Sequence, residues 1–130
     1  MSGFSDYLED KVLDHVFGGN AFTAPSTLHV ALFTVAPTDT GGGTEVSGGA
    51  YARQTATFNV SGTNPTTATN AAAIEYPTAT ADYGTVVAVG IFDASSSGNL
   101  LAYAALTANK TVSSGDVFRF DAGDLDITLA

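Results

Sequence analysis

The chain has 130 residues, a net charge of −9 and no cysteine. That length fits one domain, able to bury roughly two-thirds of the surface its unfolded chain exposes. Neither a disulfide framework nor a thiolate metal site is available. The four strong cations, Lys11, Arg53, Lys110 and Arg119, are scattered, whereas a nucleic-acid surface clusters its cations to displace phosphate counterions. No apolar run approaches the ~18 residues of a membrane helix, and the first residues lack the basic and apolar segments of an export signal. A soluble protein with neither a nucleic-acid nor a membrane partner is expected.

In chain order, the first element is a helix from about Ser5 to Phe17. Phe4, Tyr7, Leu8, Val12, Leu13, Val16 and Phe17 recur at spacings of three and four, forming one apolar stripe. Ser2 or Ser5 can cap it, acidic residues sit near the positive end of its dipole, and Gly18 and Gly19 supply a left-handed stop. The stripe docks either on the protein's own sheet or on a neighbouring subunit.

After Gly19 the period changes to two. Leu28 to Thr34 reads as an apolar strand, Val35 to Ala50 as a long glycine-rich loop, and Tyr51 to Val60 as a strand. Ser61 to Asn70 reads as a polar turn region, and Ala71 to Tyr76 as a short strand ended by Pro77. Gly84 to Ala94 is the most apolar stretch and is expected at the centre, followed by a hairpin loop over Ser95 to Asn99. Leu100 to Leu106, Lys110 to Val112, Val117 to Phe120 and Leu125 to Leu129 complete the set, with a tight turn at Ser113 to Asp116. Seven or eight short strands predict a mainly β chain: a single-domain antiparallel β-sandwich over 1–130, jelly-roll or immunoglobulin-like, with one N-terminal helix.

Chemistry-bearing residues are sparse. His15 and His29 are the only histidines, and no Gly-x-Ser-x-Gly turn accompanies them. Gly41-Gly42-Gly43-Thr44 lacks the lysine and following helix of a phosphate cradle and reads as a flexible loop. Asp121, Asp124 and Asp126, with Asp93 and Asp116 elsewhere, supply hard oxygens, but not at the spacing of a calcium loop. They read as a solvated edge, with Leu125, Ile127 and Leu129 pointing inward. Glu45, Glu75 and Asp82 are not placed by sequence at the working separation of a glycosidase pair. Tyr51, Tyr76, Tyr83 and Tyr103 suit either a sugar-stacking platform or ordinary packing. No catalytic residue, metal ligand or cofactor is assigned, and an enzyme is not expected.

The stretches LHVALFTVAPTDTGGGTEVSGGAYARQ (Leu28 to Gln54), YPTATADYGTVVAVGIFDASSSGNLLAYAAL (Tyr76 to Leu106) and TVSSGDVFRFDAGDLDITL (Thr111 to Leu129) cover most of the chain. In them an Ala-Pro-Thr-Asp loop precedes a glycine run, Gly-x-Tyr-x-Arg, Tyr-Gly-Thr and Gly-Ile-Phe-Asp. In this order the chain resembles small virion proteins of tailed bacteriophages, commonly labelled tail fibre or structural proteins. The resemblance brings no catalytic residue. It implies a virion component, assembled in the host cytoplasm. The partners it implies are further copies, a trimer being expected, and either the major capsid protein or tail proteins. A capsid cement or decoration protein that bridges head subunits is the leading expectation. A tail fibre or baseplate component contacting the host surface is the alternative, and a polysaccharide-cleaving tail enzyme is a third reading that would need paired carboxylates. The expected assembly contacts are Leu8, Val12 and Val16 on the helix, Asp39, Gly41, Gly42, Gly43 and Glu45 in the long loop, and Tyr51 and Arg53 after it.

Overall fold

The computed structural model describes residues 2–129; the outermost residues of the expected 1–130 domain lie outside them. The chain is mainly β with one helix, in antiparallel sheets consistent with a β-sandwich. Strand β1 (Ser2–Phe4) leads into helix α1 (Asp6–Val16). Ser5 is the N-cap: its side-chain oxygen accepts from the Leu8 amide at 3.2 Å while its hydroxyl donates to the Leu100 carbonyl. At the other end Phe17 is still right-handed, and the left-handed residue is Gly19 alone, with φ +76°. Gly18 is required for space, because a Cβ there would lie 2.9 Å from the Asp14 carbonyl oxygen.

Strands β2 (Leu28–Val35), β3 (Thr44–Glu45), β4 (Gln54–Ala56), β8 (Gly84–Phe92) and β9 (Leu100–Val112) join β1 in a six-stranded sheet, order β1-β9-β8-β2-β3 with β4 also on β2. As expected, β8 is central. Strands β5 (Phe58–Ser61), β6 (Thr66–Asn70) and β11 (Asp126–Leu129) form a three-stranded sheet, order β11-β6-β5, and β7 (Ile74–Glu75) pairs with β10 (Arg119–Phe120). On one face of the large sheet, Val30, Leu32, Val86, Val89 and Ile91 meet Ile74, Tyr76, Phe118, Phe120 and Leu125 in a single core cluster. On the other face Ala31, Phe33 and Ala88 are also buried, with Phe92 stacked on Phe33 at 6.1 Å between ring centroids. Burial on both faces explains why β2 and β8 read as nearly continuous apolar runs and not as a strict alternation.

Local signals misplaced several elements. Among the described residues there are eleven strands, not seven or eight. Among the unexpected ones, β1 and β3 are only three and two residues long and exist through their pairing partners. Thr66–Asn70, expected as turn, is β6, held between β5 and β11; its threonines suit a pleated surface, and the turn is confined to Gly62–Pro65. The expected strand from Tyr51 to Val60 splits at Thr57, whose carbonyl accepts from the Ala71 amide at 2.9 Å. β4 then stays in the large sheet while β5 leaves for the small one. Conversely, the two expected strands Leu100–Leu106 and Lys110–Val112 are one. Ala105 pairs with Ala88 and Lys110 with Val86, so Leu106, Thr107, Ala108 and Asn109 bulge out opposite Val87. Leu125 is buried and Ile127 partly so, as expected, with Asp124 and Asp126 exposed; the side chain of Leu129 lies outside the described part.

Candidate assembly surface

The helix stripe is divided. No residue of α1 is buried: Leu8 and Val12 are half-covered where the helix lies against β1 and β9, while Leu13, Val16 and Phe17 are 58%, 60% and 82% exposed. Its first turn is fastened firmly. The Ser5 amide donates to Leu101 O at 2.8 Å and the Asp6 amide to Asp39 O at 2.9 Å. The following segment folds back on the helix: the Phe22 amide donates to His15 Nδ1 at 3.0 Å, and the Phe22 ring meets Tyr7 edge-on at 6.5 Å.

The long loop does not hang free. Thr38 and Gly41 exchange backbone hydrogen bonds at 2.9 Å each, closing a tight turn over Asp39 and Thr40. The Asp39 carboxylate accepts from the Tyr103 hydroxyl. Gly43, at φ +74°, passes so close to the chain that a Cβ would lie 2.5 Å from Val35 O, so the run has a defined path and not the flexible one expected. Gly41 and Gly42, also at positive φ, have open space where a Cβ would point. With Asp39, Asp6, Tyr7 and Phe92 they line a cleft of about 490 Å³.

Glu45, Tyr51 and Arg53 converge beside Phe92. Arg53 donates through Nε and Nη2 to the two carboxylate oxygens of Glu45, at 2.9 and 2.8 Å, and through Nη1 to Ala94 O at 3.0 Å and Ser97 O at 2.8 Å. Its guanidinium carbon lies 3.8 Å from the centroid of the Phe92 ring. The Tyr51 hydroxyl donates to Glu45 at 2.7 Å and accepts from the Leu32 amide at 3.0 Å. These three side chains therefore tie the loop to β2 and to the 93–99 hairpin. The planar, bidentate fork of arginine is suited to this, combining a carboxylate pair with stacking on an aromatic face.

Burial alone would raise the Glu45 carboxyl, but hydrogen bonds from Arg53 and Tyr51 to its charged form outweigh it and hold it below the ordinary 4.5. Asp93 behaves likewise: burial raises it, while the side-chain and backbone N–H groups of Asn99 hydrogen-bond the carboxylate and leave it lowered. Both folded-state values lie below the unfolded ones. Their stabilisation is thus fully present above about pH 5 and is lost as pH falls through the depressed folded values. The melting temperature is expected to drop on acidification from about pH 6 to about pH 3, and less steeply in Glu45→Gln. Equal slopes for the two proteins would refute this.

The remaining candidates are dispersed. Glu75 pairs with Arg119 at 3.2 Å, Asp82 accepts from the Ser114 amide at 2.8 Å, and Glu45 is committed to Arg53, so each of the three carboxylates has its own partner. Tyr51, Tyr76 and Tyr83 pack on one another inside the domain, at ring-centroid distances of 6.0 Å (Tyr51–Tyr76) and 5.8 Å (Tyr51–Tyr83), and present no platform. Asp121 and Asp124 close a local turn, and Asp126 accepts from Thr69 at 2.8 Å. Among the described residues no three His, Asp or Glu are grouped to hold a metal ion. Of the residues that organise this surface, Ser5 was legible as a cap, Phe92 only as part of an apolar strand, and Tyr103 only as a candidate for a tyrosine platform, whereas its hydroxyl is committed to Asp39.

No curated protein matches the chain. A family model described as Podophage GP4 fiber I protein gp80 matches residues 3–128, which is nearly the whole chain and includes every residue of the helix, the pinned loop and the Glu45–Arg53 pair. The chain therefore belongs to the Podophage GP4 fiber I protein gp80 family, and is a bacteriophage virion structural protein of the fibre type.

Proposed function

We propose that the protein is a non-enzymatic component of the phage tail fibre, attached to neighbouring tail proteins through the outer part of α1, and not a cement protein of the head. The family match over residues 3–128 carries this reading, because its description names a fibre. The physical case for cement also weakens. A loose glycine loop would suit a contact that reaches across a capsid lattice, and this loop is hydrogen-bonded to the protein's own helix and sheet. The helix offers the better contact. Leu13, Val16 and Phe17 are exposed on adjacent turns beside Asp10 and Asp14, which suits an apolar partner surface with a basic rim. Leu8 and Val12, half-covered, would set the depth of docking.

Imaging of intact particles with the protein labelled tests its position: label on the tail is expected, and label spread over the head would overturn the proposal in favour of cement. Val16→Lys tests the contact, because a cation is tolerated at the helix C-terminus and repelled by a basic rim. At so exposed a position its effect on unfolding is expected to stay within about 0.5 kcal/mol, while incorporation into particles is lost. Full incorporation of a normally folded variant would remove α1 from the contact.

A further inference from the structure

We propose that the free edge of β5 is a self-association surface, which takes β5 of a second copy in antiparallel pairing and so joins two three-stranded sheets into one. The inference does not depend on where in the particle the protein sits. β5 is hydrogen-bonded to β6 on one side and ends the sheet on the other. Its outward N–H and C=O groups are a template for another strand unless the edge is blocked by a charge, a proline or a bulge. None of these is present: Phe58-Asn59-Val60-Ser61 is uncharged and its register with β6 is unbroken.

Charge distribution says what fits there. Each copy carries −9, so two copies repel unless they meet where carboxylates are absent. From Gln54 to Ile74 the sequence contains no Asp, Glu, Lys or Arg, and β5, the turn after it and β6 all lie within that stretch. Most other edges are guarded: β3 contains Glu45, β11 begins at Asp126, the β7–β10 pair carries Glu75 and Arg119, and β1 runs directly into the acidic first turn of α1, while the uncharged β4 is only three residues long and lies against β7. The uncharged edge of four residues therefore finds its best match in itself, through an isologous two-fold contact.

Side chains supply the apolar part. Val60 is 71% exposed, yet it stands opposite Ala68 of β6, which in turn stands opposite Ile127 of β11. This apolar row crosses the sheet and stops at solvent. Pairing with a second β5 sets Val60 against Phe58 or Val60 of the other copy and continues the row, with the backbone bonds adding affinity as in strand-addition complexes.

The experiment follows the mass of the full chain by light scattering or sedimentation over a concentration series, at about 0.1 M and about 1 M salt. A species of twice the chain mass is expected, stronger at high salt because screening removes the repulsion between acidic copies. Val60→Lys places like charges across the two-fold axis and is expected to weaken pairing by about tenfold or more; circular dichroism and melting temperature should be unchanged, since the side chain is exposed. Val60→Thr, uncharged and β-branched, is expected to retain pairing. A monomer under all conditions, a trimer indifferent to Val60→Lys, or an association weakened by salt would each overturn the proposal. None of these results bears on whether labelled protein sits on the tail.

Discussion

Replacing Arg53 by alanine is expected to lower the unfolding free energy by about 3 kcal/mol, with the urea midpoint falling at unchanged m-value. The Arg53 side chain is only 7% exposed and its guanidinium serves four acceptors: both Glu45 carboxylate oxygens, Ala94 O and Ser97 O. Removing it strands the Glu45 carboxylate against Tyr51 and uncovers the face of Phe92. Glu45 keeps 26% of its side-chain surface in water, which places the loss at the lower end of the roughly 3–5 kcal/mol seen when one partner of a buried pair is removed. Because most of that loss is an uncompensated charge and not a lost attraction, a second change, Glu45→Leu, should restore part of it. A single-variant loss under about 1 kcal/mol, the scale of a surface ion pair, would show that the network contributes little to stability.

Tyr76→Ala is expected to cost about 3–5 kcal/mol, in the range for emptying a large aromatic site in a core. Tyr76 is 1% exposed and stands between the layers. Its ring stacks on Tyr51 at 6.0 Å and meets Phe118 edge-on at 5.8 Å, and its hydroxyl donates to Val30 O at 2.8 Å. Tyr76→Phe keeps the ring and loses only that hydrogen bond, for about 1 kcal/mol. The difference between the two variants in thermal or denaturant unfolding isolates the packing contribution. If both variants lose the same amount, the hydroxyl rather than the ring joins β2 to the second layer.

The two predictions explain in physical terms why the conspicuous Glu45–Tyr51–Arg53 stretch is difficult to interpret from sequence. A charged pair with a tyrosine after a glycine-rich loop looks like exposed contact chemistry. Its partners are a backbone amide on β2, an aromatic ring on β8 and carbonyls in the 93–99 hairpin, as many as 44 positions away in the chain. No local pattern announces those partners, so an inward network and an outward contact have the same sequence signature. Asp39 is a parallel case, because its commitment to Tyr103 spans 64 positions.

What the sequence determined by itself is whatever short-range physics decides. The 3.6 period and the Ser5 cap set α1, and the apolar runs set β2 and β8. The ordered motifs between Leu28 and Leu129 were enough for the phage virion class, since a resemblance reads residue order directly. Only the tertiary structure decided that Thr66–Asn70 is a strand, that the chain changes sheets at Thr57, and that Leu106–Asn109 bulges out of a continuous β9. It also decided which half of the helix stripe is covered. In a sheet each strand is stabilised by partners distant in sequence, and threonine- or alanine-rich segments carry too little propensity to choose a partner alone.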